Sequence, residues 1–135
     1  MMENIKPSLN FTVICDDARQ EVGGKISLMG LFENIYSTSF PASHPRLAIM
    51  NEWSDGKGEF EIKLQLLSPD KKTVIREISS KLTLKNVNVR HRDISIHLNI
   101  DFQAPGTYWV ENFLDGERMN SFPLNVVHVK KQAIH

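Results

Sequence analysis

Apolar and polar residues alternate along most of the chain with a period of two, which is the period of a β-strand with one buried face. The clearest alternation has apolar residues at five successive even positions: Ile94, Ile96, Leu98, Ile100 and Phe102. The residues between them are polar, as on the solvent-exposed side of an antiparallel sheet. The pattern predicts a strand here, with its isoleucine side in the core and its polar side in water.

Similar but shorter patterns recur along the chain, at 9–15, 60–66, 108–114 and 122–129. The stretch 26–35 is apolar at both parities and is typical of one central strand covered on both sides. Asp-Gly pairs at 55–56 and 115–116 and the Pro-Gly pair at 105–106 mark tight turns. The best helical candidate is the short piece 18–22, which runs into two glycines.

About eight strands separated by Gly or Pro turns predict an all-β fold. We expect a single-domain antiparallel β-sandwich, with an immunoglobulin-like or similar two-sheet topology. The 135 residues fit one domain, 1–135, with an ordered core of about 8–129.

Charge and cysteine content narrow the classes of function. The formal net charge is zero, which argues against a nucleic-acid binder and gives no support for binding to an anionic membrane. Cys15 is the single cysteine, so no disulfide forms within the chain. The first residues resemble neither a signal peptide nor a membrane span. We therefore expect a cytoplasmic protein.

An acidic pair, Asp16 and Asp17, is followed by Arg19 and Glu21 and then by Gly23 and Gly24. In the structural interpretation the carboxylates end a strand and cap a turn, Arg19 pairs with one of them, and the glycines let the chain turn back. In the alternative, the same acidic residues form part of a ligand or metal site.

The segment His91-Arg92-Asp93 offers a second set of polar side chains. A His-x-Asp pair in a strand can contribute to a metal site if a neighbouring strand supplies another ligand. The simpler interpretation is the solvated face of a strand. A binding site that uses this region together with the acidic pair requires the two groups to converge in a cleft.

Three aromatic residues are candidates for an interaction surface: Trp53, Trp109 and Phe113. Trp109 and Phe113 lie on the parity opposite Tyr108, so both sides of that strand carry large apolar groups. The second side packs under a loop or forms a partner surface. A tryptophan that stacks on a carbohydrate is a weaker alternative.

The segment "FTVICDDARQEVGGKISLMGLF" resembles the opening signature of the DUF6941 family of small uncharacterised bacterial proteins. The residues that carry the resemblance are Cys15, Asp16, Asp17, Arg19, Glu21, Gly23, Gly24, Lys25, Leu28 and Gly30. A second block fits at Pro105 to Tyr108, Leu114 to Glu117 and Phe122 to Leu124. The resemblance implies a bacterial source and supports the fold, and it implies no activity. Gly30, inside a strand, suggests a bulge or a close backbone approach.

No catalytic motif and no cofactor motif stands out in this sequence. The leading hypothesis is a non-enzymatic protein-interaction module that binds a protein partner or itself. The alternative is a small-molecule or metal-binding domain, hydrolytic in one version, that uses Asp16, Asp17 and the region from His91 to Asp93.

Overall fold

A computed structural model describes residues 3–130 and contains nine β-strands and no helix in that part of the chain. The strands are β1 (Ser8–Gln20), β2 (Ile26–Leu31), β3 (Asn34–Ser37), β4 (Ala42–Ser54), β5 (Gly58–Leu67), β6 (Val74–Leu84), β7 (His91–Phe102), β8 (Gly106–Leu114) and β9 (Glu117–His128). Accordingly, nothing between residues 3 and 130 forms a helix long and apolar enough to cross a membrane.

The strands form two sheets, one of four strands in the order β2-β1-β4-β7 and one of five in the order β3-β9-β8-β5-β6. Side chains from both sheets meet in a common hydrophobic core, so the predicted β-sandwich is confirmed. Pairing is antiparallel except between β3 and β9, which are parallel. We call the side of each sheet that faces the other sheet its inner face.

Two local predictions were wrong. The stretch 26–35 is not one central strand, because it is divided into β2 and β3, which belong to different sheets. The piece 18–22 is not helical, since β1 continues to Gln20 and pairs with Ile26. Each piece takes its conformation from the strand beside it, which local propensity does not reveal.

The core between the sheets consists of two clusters of buried apolar side chains. The larger cluster centres on Leu47, Ile49, Leu66, Ile100, Phe102 and Tyr108, and the smaller one on Trp53, Phe60, Leu82, Leu84 and Leu114. In β1, Ile14 belongs to the core, whereas Phe11 lies on the opposite side of the sheet and is 40% exposed. A register shift between Leu9 and Phe11 places Leu9 back on the core side.

The first half of β7 is inverted relative to the sequence prediction. Ser95 and His97 are buried, whereas Ile96 is 40% and Leu98 54% exposed. The register with β4 explains this inversion: Ser95 pairs with Ile49 and His97 with Leu47, whose side chains are in the core. Beyond Asn99, which has a φ of 52°, the core side changes and Ile100 and Phe102 are buried. The prediction of a solvated polar face was therefore wrong for Ser95 and His97.

A layer of polar side chains separates the two apolar clusters. Asn51 of β4 donates from Nδ2 to Oδ1 of Asn112 in β8 at 2.9 Å, which joins the two sheets. Asn112 in turn donates to Asn120 Oδ1 at 3.0 Å, and Thr12 donates to Asn51 Oδ1. Because these groups bond one another, their burial costs less than that of unpaired amides.

Replacing Asn112 by alanine is expected to lower the free energy of unfolding by about 2–4 kcal/mol, since buried groups that lose a partner cost about 1–3 kcal/mol each. Urea denaturation measures the change. The matched control is Asn125→Ala, which removes a half-buried amide that bonds Thr107 and Asn34. An equal loss in the two variants would contradict a special role for the polar layer.

Candidate interaction surface and acidic hairpin

The hairpin of β1 and β2 folds back over the outer face of the four-stranded sheet. A straight strand from Phe11 to Gln20 would span about 30 Å at about 3.3 Å per residue. Nevertheless Ile26, which pairs with Gln20, lines the same recess as Phe11 and Met50. The hairpin segment 16–30, here called the arm, covers this outer face, where Cys15 and Ala48 are fully buried.

The tip of the arm is a turn built on two glycines. Gly23 and Gly24 have φ values of 93° and 86°, which other residues rarely adopt. The backbone N–H of Glu21 donates to Lys25 O at 2.6 Å, and that of Gly24 donates to Glu21 O at 3.1 Å. Glu21 therefore contributes its backbone to the turn, and its side chain is exposed.

Asp17 fixes the base of the arm to the sheet. Its carboxylate accepts from Arg19 Nε at 3.0 Å and from Arg46 Nη2 of β4 at 2.8 Å. These hydrogen bonds, and the charge of Arg46, lower the pKa of Asp17. The structure thus has the pair of Arg19 with Asp17 that the structural interpretation of the sequence proposed. Asp17 lies within β1 and not at its end.

Asp16 and Gly30 form the bend of the arm. Gly30 has a φ of 70°, and a Cβ atom at this position would overlap the side chain of Asp16. Both the left-handed backbone and the approach of Asp16 therefore require glycine. The sequence suggested a bulge or a close backbone approach at Gly30, and the close neighbour is instead a side chain.

Asp93 lies on the inner side of β7 and is partly buried. Its Oδ2 accepts from Trp53 Nε1 at 3.0 Å. Burial raises the pKa of Asp93, and the hydrogen bond from Trp53 and the charge of His91 oppose this only in part. The carboxylate serves as the partner of a buried tryptophan, so it stabilises the core at the cost of its own desolvation.

Next along the inner side of β7, Ser95 Oγ lies 2.8 Å from His97 Nε2. Burial, together with the charge of Arg76, lowers the pKa of His97. In a catalytic triad the aspartate would bond the histidine, whereas Asp93 bonds Trp53. Ser95, His97 and Asp93 therefore do not form a triad. A cavity of about 50 Å³ beside them is lined by Asn51, Ile78, Ser80, Asp93, Ser95 and Asn112, among others.

The structure does not bring the two acidic regions together. Asp17 reaches Arg46, whereas Asp93 pairs with Asn51, about 16 Å further along β4 at about 3.3 Å per residue. Across residues 3–130, no three His, Cys, Asp or Glu side chains are grouped so as to hold a metal ion. The convergence that the binding-site hypothesis requires is absent from the described part of the chain.

The three aromatic candidates have different environments. Trp53 is fully buried in the smaller cluster, so its assignment to an interface or to sugar stacking was wrong. Trp109 and Phe113 are half-buried on the outer face of the five-stranded sheet. Lys71 Nζ lies 4.6 Å from the ring centroid of Trp109, and Lys63 Nζ lies 4.9 Å from that of Phe113. Lys71 belongs to the turn between β5 and β6, so Trp109 packs under a loop.

Lys71 is itself held in place by Glu111. The buried carboxylate of Glu111 accepts from Lys71 Nζ at 2.9 Å and from Ser121 Oγ at 2.7 Å. Burial raises the pKa of Glu111, but these hydrogen bonds and the charges of Lys71 and Arg118 outweigh it and lower the pKa overall. Trp109 is thus covered by an anchored lysine, which makes the aromatic surface a weaker candidate for binding.

The open side of the sandwich, where β6 and β7 are both edge strands, carries the exposed apolar residues that the sequence analysis missed. Ile78 of β6 and Ile96 and Leu98 of β7 are each at least 40% exposed. Sequence alternation had placed Ile96 and Leu98 in the core. The signal that would have reversed this is the inward-facing Asn51 opposite Asp93, and it requires the strand pairing.

The chain belongs to a family of unknown function, DUF6941, whose model matches residues 10–127. This match confirms the resemblance given by the sequence. No curated protein matches the chain.

The bend of the arm gives a first prediction. Gly30→Ala is expected to cost more than the about 1–2 kcal/mol of a left-handed alanine, because the new Cβ also overlaps Asp16. Gly23→Ala, at a positive φ with open space around it, is the control for backbone strain alone.

The double variant Asp16→Ala/Gly30→Ala separates the two costs of that substitution. Thermal unfolding should show that adding Asp16→Ala recovers part of the stability that Gly30→Ala loses. If Asp16→Ala gives no recovery, contact with Asp16 is not the reason for glycine at position 30.

The buried carboxylate gives a prediction on pH. Because the folded-state pKa of Asp93 is raised, its contribution to stability is complete below the unfolded-state value and is lost as the pH rises through the folded-state pKa. Asp93→Asn, which keeps an acceptor for Trp53, should therefore gain stability relative to the wild type as the pH rises to neutral.

Unfolding free energies of the wild type and Asp93→Asn across the acid to neutral range check this prediction. Asp101→Asn, which makes the same substitution at an exposed position of the same strand, is the control. A wild type that is the more stable protein at neutral pH would show that the charged form of Asp93 is favoured by the fold.

Proposed function

We propose that the chain is a non-enzymatic protein-interaction module that binds an extended protein segment along the free edge of β7. The observation that carries the proposal is the combination of a twelve-residue edge strand with exposed Ile96 and Leu98 on its outer side. Edge strands present unpaired backbone groups, which a further strand can satisfy. An apolar stripe beside that edge provides contacts for the side chains of the added strand.

The backbone of β7 is suited to this role between His91 and His97. Arg76 of β6 donates from Nη2 to the carbonyls of Leu98 and Asn99 at 3.1 and 2.9 Å. This guanidinium caps the edge at one end, where Asn99 also interrupts the extended backbone. The segment before Leu98 is regular and pairs with β4 without a register shift, which supports this segment as the proposed binding edge.

The non-enzymatic part of the proposal is supported by the hydrogen bonding of the candidate groups. Asp17 is held by two arginines, Asp93 by Trp53 and Ser95 by His97. A general base or nucleophile needs an accessible substrate position beside it. The cavity beside Asp93 and Ser95, at about 50 Å³, is far smaller than the about 300–1,000 Å³ of typical ligand pockets.

We also propose that the sandwich is of the immunoglobulin type. In such domains strands B and E are neighbours in one sheet, and C, F and G are neighbours in the other. The strand order agrees with this arrangement if β4 and β7 correspond to strands B and E, and β5, β8 and β9 to strands C, F and G. Tyr108, near the start of β8, donates to Ala104 O at 2.7 Å, as in a tyrosine corner.

A cytoplasmic location remains part of the proposal. Cys15 is free and fully buried under the arm, where burial raises its pKa. A chain with one such cysteine does not depend on an oxidising compartment for its stability.

A library of random linear peptides displayed on phage tests the proposed function without knowledge of the natural partner. Selected peptides should have alternating apolar residues and should protect the backbone amides of Ile94 and Ile96 from hydrogen exchange. Ile96→Lys should weaken their binding at least about tenfold, which corresponds to about 1.4 kcal/mol.

Leu31→Lys is the matched control, because Leu31 is also an exposed apolar residue and lies on the opposite edge strand, β2. It should leave peptide binding unchanged. Peptides whose protection maps to the arm or to the five-stranded sheet, with no effect of Ile96→Lys, would reject β7 as the binding edge.

A further inference from the structure

The geometry points to a second copy of this chain as the partner of β7, paired antiparallel about a two-fold axis at Ser95. This inference rests on the proposed function and specifies its partner. Closed two-fold dimers are the commonest oligomers, and their interfaces must be self-complementary. A two-fold axis at Ser95 meets this condition, and in this register Ser95 lies opposite Ser95 of the partner subunit.

The order of side chains along β7 supports this register. In this register Ile94 lies opposite Ile96 of the partner subunit, so two such pairs form a continuous apolar stripe on the outer side. On the inner side Asp93 lies opposite His97 of the partner subunit, and the symmetry repeats that pair. A carboxylate thereby meets an imidazole, which can donate a hydrogen bond to it. Opposite side chains at about 4.5–5.5 Å between Cβ atoms stabilise an antiparallel pair.

The direction of the backbone N–H and C=O groups of β7 also supports this pairing. The carbonyl of Leu98 accepts from Arg76 of β6, which lies beyond the free side of β7, and so it points away from β4. Along a regular strand every second residue directs its N–H and C=O to the same side. Ile94 and Ile96 therefore present their backbone groups to the open edge, and the two isoleucine pairs supply about four hydrogen bonds between the chains.

The charges of the chain are compatible with two copies meeting at this edge. The formal net charge of zero gives two copies little overall repulsion. Arg92, the one arginine or lysine within β7, is already paired with the buried Glu52, with Nε 3.1 Å from Oε1. Its charge is thus compensated within one subunit. A register shifted by two residues would instead place either His91 or Ser95 opposite His97 of the partner subunit, so that this imidazole would have no carboxylate opposite it.

Native mass spectrometry tests the inference. Protein concentrations from about 1 µM to about 1 mM cover the range of weak dimers. The wild type and Leu31→Lys should form dimers. Ile96→Lys, which puts a lysine opposite Ile94 of the partner subunit at both ends of the stripe, should be monomeric at concentrations at least about tenfold higher. A monomeric wild type throughout, or a dimer that Ile96→Lys leaves unchanged, would overturn the inference.

A disulfide tests the register directly. The two Ser95 positions form a pair without backbone hydrogen bonds, with Cα atoms about 4.5 Å apart, which is within the range that a disulfide spans. Mild oxidation of Ser95→Cys should give a covalent dimer, whereas Ser27→Cys on the exposed part of β2 should give far less. A non-covalent dimer that Ser95→Cys does not trap would overturn the proposed axis.

Failure of this inference and failure of the proposed function give different results. If the chain remains monomeric but library peptides protect Ile94 and Ile96, β7 binds another protein and the second copy is excluded. If neither occurs, both proposals are wrong. Circular dichroism of each variant confirms that a negative result comes from a folded protein.

Discussion

The hydrogen bond between Asn51 and Asn112 is the constraint on which the arrangement of the molecule depends. It joins the two sheets across their interior and fixes which side of β4 faces inward. Leu47, Ile49 and Trp53 then enter the core with Asn51, and Ala48 and Met50 take the opposite side. Because β7 follows β4 in regular register, its inward residues are set by the same choice. A buried amide pair is costly to break, so it specifies this arrangement over alternatives.

This constraint explains how a polar interior produces an apolar exterior. With Asp93, Ser95 and His97 directed toward the polar layer, the isoleucines between them must point outward. The arm covers part of that outer face and is held there by Asp17 and Arg46. It leaves Ile96 and Leu98 exposed beside an unpaired strand edge. The sequence analysis placed the polar side of β7 in solvent. The surface that we propose for binding is the opposite, apolar side of the same strand.

The sequence was sufficient for the fold class, because alternation and turn residues are local properties. It also indicated the pairing of Arg19 with Asp17, since the two residues are close in sequence. The approach of the Asp16 side chain to Gly30 was not indicated, because it depends on the pairing of β1 with β2. The sequence failed for β7 because a strand with one polar and one apolar side does not reveal which side is inner when the interior itself is polar. Trp53 was misassigned for a related reason: its buried position depends on the neighbour Asp93, forty residues away.

The proposed meeting point of this chain and its partner is the edge of β7. Residue-resolved hydrogen exchange at low and high protein concentration tests it most directly, since both β7 and the other edge strands report in one experiment. We expect hydrogen exchange at the amides of Ile94 and Ile96 to become slower at high protein concentration, while exchange in β2 and β3 does not change. Unchanged exchange in β7, with dimerisation or new protection at another edge, would contradict it.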